Sequence, residues 1–144
     1  MLAAGGSGAL LMGAWGFQAL GYAPCKMCIW QRWPHGIAFL IGVLALIVPV
    51  ATLLYFGAIA AATTGAIGVY HTGVENGWWQ GPDTCTSGDI TKLTSEQLME
   101  QIMGAPLVLC DVVAWDFLTL SMASWNAILS FGLAAVWLIA LRKT

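Results

Sequence analysis

Ile37 to Tyr70 reads IAFLIGVLALIVPVATLLYFGAIAAATTGAIGVY, 34 residues without a charge. As one helix it would extend about 51 Å at 1.5 Å per residue, whereas the hydrocarbon core of a bilayer is about 30 Å thick. The run must therefore fold back on itself. Pro49, between Val48 and Val50, is the natural break, because proline lacks the amide donor a helix needs and disfavours helix in the residue before it. Two more uncharged runs, Leu2 to Ala23 and Trp125 to Leu141, flank this one. The pattern predicts four spans, at about 2–20, 34–48, 51–70 and 125–141, within a single domain over 1–144. The fold class is an all-α membrane protein, a four-transmembrane-helix bundle.

Composition agrees. The chain is 59% hydrophobic and 8% charged, against about 25% charged in soluble domains. It carries no basic cluster for nucleic acid, and the partner it calls for first is the lipid bilayer. A cleavable signal peptide is the rival reading of the N-terminus, but that stretch has no positive n-region and its apolar run exceeds a usual h-region. Basic residues do not fix orientation: Arg142 and Lys143 follow the last span, while Lys26, Arg32 and Lys92 fall on the other side.

The spans leave two loops on one side, at about 21–33 and 72–124. The second is too long for an ordinary connection, which points to function. Within it Thr94 and Gln97 fit a capping box, and Leu93 with Leu98 fits a hydrophobic staple. A short helix over Ser95–Met103 follows, ended by Gly104 and Pro106, with Leu98, Met99, Ile102 and Met103 on one face. That face suits a helix lying in the membrane interface. Small residues recur every four positions, as Gly5, Ala9, Gly13 and as Gly57, Ala61, Gly65, and such stripes read as close helix packing. Six of the eight tryptophans lie in or beside the two loops, the pattern of an aromatic belt.

All four cysteines fall in these loops: Cys25 and Cys28 in a Cys-x-x-Cys pair, Cys85 and Cys110 in the long loop. Disulfide chemistry needs an oxidising compartment such as the bacterial periplasm, which places the loops there. No second Cys-x-x-Cys completes a zinc knuckle, so no metal is expected, and Ile29 stands where a haem attachment motif needs histidine. Two static bridges are the competing account and fit Cys85 and Cys110 best. Cys25 and Cys28 fit redox exchange better, because their short spacing makes a poor stabilising loop and a good low-pKa dithiol. A dithiol beside lipid with a second pair in reach has the layout of an electron relay to a membrane-soluble carrier.

Arg32 follows the dithiol closely. Its charge favours the Cys28 thiolate and could stabilise a reduced quinone oxygen, while snorkelling to headgroups is the plainer alternative. Pro34 reads as a helix N1 residue, which would leave Cys28 to Arg32 in a loop. Gln18 reads as one interhelical hydrogen bond. His71 closes the third span and stands open between a backbone partner and a bound carrier. His35 reads as an interfacial residue.

Taken together, Ala23-Pro24-Cys25-x-x-Cys28, Trp30-Gln31-Arg32, His71, Gly81-Pro82 before Cys85, Ala105-Pro106 before Cys110, Trp115-Asp116-Phe117-Leu118 and Leu120 to Asn126 resemble the DsbB family of bacterial inner membranes over nearly the whole chain. The resemblance implies a quinone-dependent oxidoreductase with cytoplasmic termini, ubiquinone (or menaquinone) bound near the first periplasmic loop, and a DsbA-like periplasmic thiol oxidase as partner. By the same analogy, Cys85 takes the mixed disulfide with the partner, Cys110 exchanges with Cys25, Cys28 passes electrons to quinone, and Arg32 and His71 flank the ring. The DsbA–DsbB–quinone system is itself the standing example of a compartment kept oxidising kinetically. DsbA, at about −120 mV, is so strong an oxidant that a quinone sink makes energetic sense. Vitamin K epoxide reductase-like proteins resemble the chain less, since their Cys-x-x-Cys comes late, and a four-span structural protein with two static disulfides is the alternative outside enzymes.

Overall fold

A computed structural model of the protein describes residues 1–86, 94–104 and 108–143, with backbone only at 98, 100–102 and 104. Its elements run α1 (Leu2–Ala19), α2 (Lys26–Ile47), α3 (Ala51–Glu75), α4 (Ser95–Gly104), β1 (Asp116–Phe117), β2 (Leu120–Ser121) and α5 (Met122–Leu141). The sequence turns at Pro49 as its chemistry dictates, with α2 ending at Ile47 and α3 starting at Ala51. α3 is the centre of the assembly. It packs on α5 and α2, and α1 lies against α2 and, less extensively, α5. Two helices, Ala51–Glu75 and Met122–Leu141, are each long and apolar enough to cross a membrane.

Small side chains set the helix spacing. Ala3, Ala4, Ala58, Ala61 and Ala134 form the core around Trp137. A Cβ on Gly57 would stand 2.7 Å from the Trp137 ring, and one on Gly65 would stand 3.0 Å from Phe131. The Gly57, Ala61, Gly65 stripe is therefore a packing surface, as the spacing suggests. The stripe on α1 is not: Gly5, Ala9 and Gly13 are exposed, and α1 packs through Ala3, Ala4 and Ser7 instead. Ala9 and Gly13 open onto a cavity described below.

Three helix starts or ends differ from expectation. α2 begins eight residues before Pro34, at Lys26, so Cys28 to Arg32 are helical and the first loop is short. Pro34 sits inside the helix, depriving the Trp30 carbonyl of its i+4 donor. In the same turn the Thr64 hydroxyl of α3 donates to the Gln31 carbonyl at 2.9 Å. Hydroxyls on neighbouring helices are one means by which apolar helices tolerate internal proline. The true start is fixed by Cys25, whose extended backbone and sulfur cap the helix. α3 continues past Tyr70 to Glu75, so His71 lies within it, and α5 starts at Met122 because Ser121 caps it by accepting from the Ser124 N–H.

In the long connection, the expected capping box is present: Gln97 Oε1 accepts from the Thr94 N–H at 3.0 Å, and Thr94 Oγ1 accepts from the Gln97 N–H at 3.4 Å. α4 runs one residue beyond expectation. Met99 and Met103 are exposed on it, whereas Leu93, Pro106 and the side chains of Leu98 and Ile102 lie outside the described residues. An unanticipated two-stranded hairpin precedes α5, pairing Asp116 with Ser121 and Phe117 with Leu120. Leu118 (φ 52°) and Thr119 (φ 65°) make its turn. Asn-Gly or Asp-Gly would have signalled such a turn; these two residues do not.

Candidate active site

Cys25 and Cys28 occupy the first turn of α2 because the cap holds them there. Cys25 Sγ accepts from the Cys28 N–H at 3.2 Å, and the two sulfurs are 2.7 Å apart. Bridging them to the roughly 2.05 Å of a disulfide needs little movement. Both are free thiols, Cys25 buried and Cys28 half-buried. The pair divides its proton unequally. The hydrogen bond from Cys25 pulls the Cys28 thiol below the ordinary thiol range, with Arg32 adding a smaller effect, while that same bond and then burial push Cys25 up. Cys28 is thus the more acidic thiol of the pair.

Cys85 and Cys110 are bridged, their Cα atoms 5.3 Å apart, and the Cys110 N–H donates to the Cys85 carbonyl. Their position follows from the segment after α3. The chain doubles back so that Trp79 covers Gly73 and Gly81 packs on Val74, approaches that leave no room for a Cβ at either glycine. Cys85 is thereby brought onto Val74, and Cys25, Cys85 and Cys110 share one buried cluster with Val74 and Met27, against which the half-buried Cys28 packs.

His71, 3% exposed, projects from α3 into this cluster. Its Nε2 lies 3.6 Å from Cys25 Sγ and 3.8 Å from Glu75 Oε1, one turn on, and its Nδ1 lies 2.9 Å from Gln31 Nε2. Glu75 in turn accepts a hydrogen bond from the Ser121 hydroxyl. Arg32 points to α1, donating to Gln18 Oε1 at 2.7 Å and to the Ala14 carbonyl at 3.3 Å. Gln18 therefore makes the interhelical bond expected of it, and Arg32 is held by two oxygens instead of reaching freely for headgroups. His35 is buried against protein, and its Nε2 lies 2.9 Å from Asn126 Oδ1.

A cavity of about 430 Å³ opens beside the dithiol, and Cys25, Cys28, Arg32 and His71 all border it. Phe17, Trp115 and Phe117 give it an aromatic side: Phe17 and Trp115 are 5.0 Å apart between ring centroids, and Trp115 stacks on Phe117 at 13°. Six residues named from sequence thus converge, four cysteines in or against one cluster and two side chains at the cavity edge. Sequence reasoning missed the roles of Gln31, Thr64, Glu75 and Asn126. The signal was there in part: Glu75 follows His71 by four, and Gln31 and Asn126 are amides in or beside apolar runs. Sγ of Cys25, Sγ of Cys28 and a ring nitrogen of His71 also lie within 4.8 Å of one another, a ligand set the sequence spacing did not suggest.

No curated protein and no solved structure matches the chain. The family model of the disulfide bond formation protein DsbB matches residues 1–140, so the chain belongs to the DsbB family of membrane disulfide-forming oxidoreductases.

Proposed function

We propose that the protein reoxidises a DsbA-like periplasmic thiol oxidase and passes the electrons to a membrane quinone, ubiquinone or menaquinone. One observation carries this reading: a bridged pair, Cys85–Cys110, and an unbridged pair, Cys25 and Cys28, meet at a buried cluster beside an apolar cavity edged by Arg32 and His71. Two static bridges would give no reason for that arrangement.

In the relay, the partner's dithiol exchanges with the Cys85–Cys110 bridge through Cys85, and the reduced pair exchanges with a Cys25–Cys28 bridge through Cys110 and Cys25. Each exchange breaks one S–S bond and forms one. The dithiol left at Cys25 and Cys28, beside a restored Cys85–Cys110 bridge, corresponds to the arrangement described above. A quinone supplies the sink, taking up two electrons and two protons. The cavity suits a flat apolar ring: aromatic side chains line it, Cys28 borders it, and Arg32 offers positive charge where oxygen becomes anionic. Over one cycle the partner's dithiol becomes a disulfide and both pairs end as disulfides.

The same reading makes α1, α2, α3 and α5 a four-span bundle in the bacterial inner membrane, with both termini cytoplasmic and the cysteine-bearing segments periplasmic. The uncharged runs on all four helices support it. The test is quinone reduction by purified protein with a reduced DsbA-like donor. Cys25→Ser should still trap a mixed disulfide at Cys85 but stop quinone turnover. Normal quinone reduction by Cys25→Ser would overturn the relay.

A further inference from the structure

His71 is reached by a run of hydrogen bonds whose directions are set by groups that can only accept. Gln31 Nε2 lies 3.4 Å from the Met27 carbonyl, and Asn126 Nδ2 lies 3.4 Å from the Thr64 carbonyl. Turning either amide over would press oxygen against oxygen. Asn126 Nδ2 also lies 3.3 Å from Thr64 Oγ1, whose own hydrogen is committed to the Gln31 carbonyl, so the hydroxyl accepts there too. With both amides so oriented, Asn126 Nδ2 donates to Gln31 Oε1 at 2.7 Å, and Gln31 Nε2 points its hydrogen at His71 Nδ1 at 2.9 Å. Nδ1 must then accept. In a neutral imidazole the single proton is left on Nε2.

Besides Gln31, three groups face the ring among the described residues: the Cys110 backbone, which makes no hydrogen bond to it within ordinary geometry, Glu75 and Cys25. Glu75 Oε1 at 3.8 Å is beyond hydrogen-bonding reach for nitrogen and oxygen, whereas Cys25 Sγ at 3.6 Å is within reach for the larger sulfur. We infer that Gln31 and Asn126 are positioning residues that lock His71 in its Nε2–H form and so make it a donor to the Cys25 sulfur, not the base that removes its proton. The donors then run in one sense through three helices: His35 to Asn126, Asn126 to Gln31, Gln31 to His71, His71 to Cys25, and Cys25 to Cys28. Each bond polarises the next, and negative charge on Cys28 is stabilised at the end of the series. Its consequence for turnover rests on the relay proposed above; the position of the proton does not.

The proton is therefore read without quinone or partner. In full-length protein labelled with ¹⁵N-histidine and reduced, long-range ¹H–¹⁵N correlation should show His71 Nε2 protonated and Nδ1 bare. Protonated Nδ1 in the unmutated protein would overturn the inference. Asn126→Asp, close to isosteric, removes the donor to Gln31 Oε1; the Gln31 amide should turn over and move the proton to Nδ1. A second readout is the pH profile of Cys28 alkylation in reduced protein. Gln31→Met should slow alkylation near neutral pH about threefold by raising the thiol pKa, His71→Phe should do the same, and the double variant should be no slower than either. Additive slowing would mean that Gln31 acts independently of His71, and would also overturn the inference. If Nε2 is protonated as stated but the protein reduces no quinone, the relay fails and the tautomer stands.

Discussion

A guanidinium held by two oxygens of a neighbouring helix is a directed charge. Arg32 is tied to Gln18 and Ala14 on α1, so it faces the cavity from a fixed place one turn beyond Cys28. Arg32→Met should raise the apparent quinone KM about tenfold or slow reduction comparably, the scale of one lost charged hydrogen bond, and leave thiol exchange at Cys85 intact. Steady-state kinetics with varied quinone checks this, and unchanged constants would return Arg32 to a structural role. Cys28 makes a pH prediction of its own. Because its pKa is lowered, its alkylation should stay fast as pH falls below the ordinary thiol range, while Cys25 remains protonated and slow. Mass spectrometry of singly alkylated protein would distinguish the two sulfurs. At this scale the cysteines and Arg32 could be singled out because their spacing is itself a signal, and the structure gathers the cysteines together and sets Arg32 at the cavity edge. Gln31 and Asn126 were not, because what matters about them is a bond between residues 95 positions apart.

Helices are where local rules and packing part company. The break at Pro49 and the Thr94–Gln97 box follow from backbone chemistry within a few residues, and both stand in the structure. Pro34 obeys the same chemistry but is overruled, since the cap at Cys25 starts the helix and α3 supplies a hydroxyl to the disturbed turn. Stripes of small residues mark close packing only when another helix is present to use them, which is why Gly57 packs and Gly5 does not. Gly57→Leu should force α3 from Trp137 and destabilise the bundle by about 1–3 kcal/mol, measurable by denaturant titration in detergent. For α4, Met99 and Met103 face outward, 63% and 82% exposed. If that face rests on lipid, Met99→Glu with Met103→Glu should lift it off and slow exchange between the pairs while preserving quinone binding. A fluorophore at Met99 that reports bulk water in the otherwise unmutated protein would exclude the lipid contact.

Across the molecule, the cysteine side is built from parts far apart in sequence: the start of α2, the end of α3, the segment that folds back over Gly73, and the hairpin before α5. One feature of that construction governs more than packing. Cys85 and Cys110 are 1% and 0% exposed, so the bridge that the proposed relay opens to an outside thiol is closed to it in this arrangement. Attack on that bridge must await a local opening, and its rate at high thiol concentration should level off at the opening rate. Small thiols such as glutathione gain nothing from binding, so they can only wait for rare openings, whereas a docked protein can hold the segment open. Reduction of Cys85–Cys110 by glutathione should therefore saturate at a slow rate, far below that with a DsbA-like dithiol. In the relay proposed above, the burial of one bridge would act as insulation, keeping the oxidising power of the membrane from leaking into the soluble thiol pool.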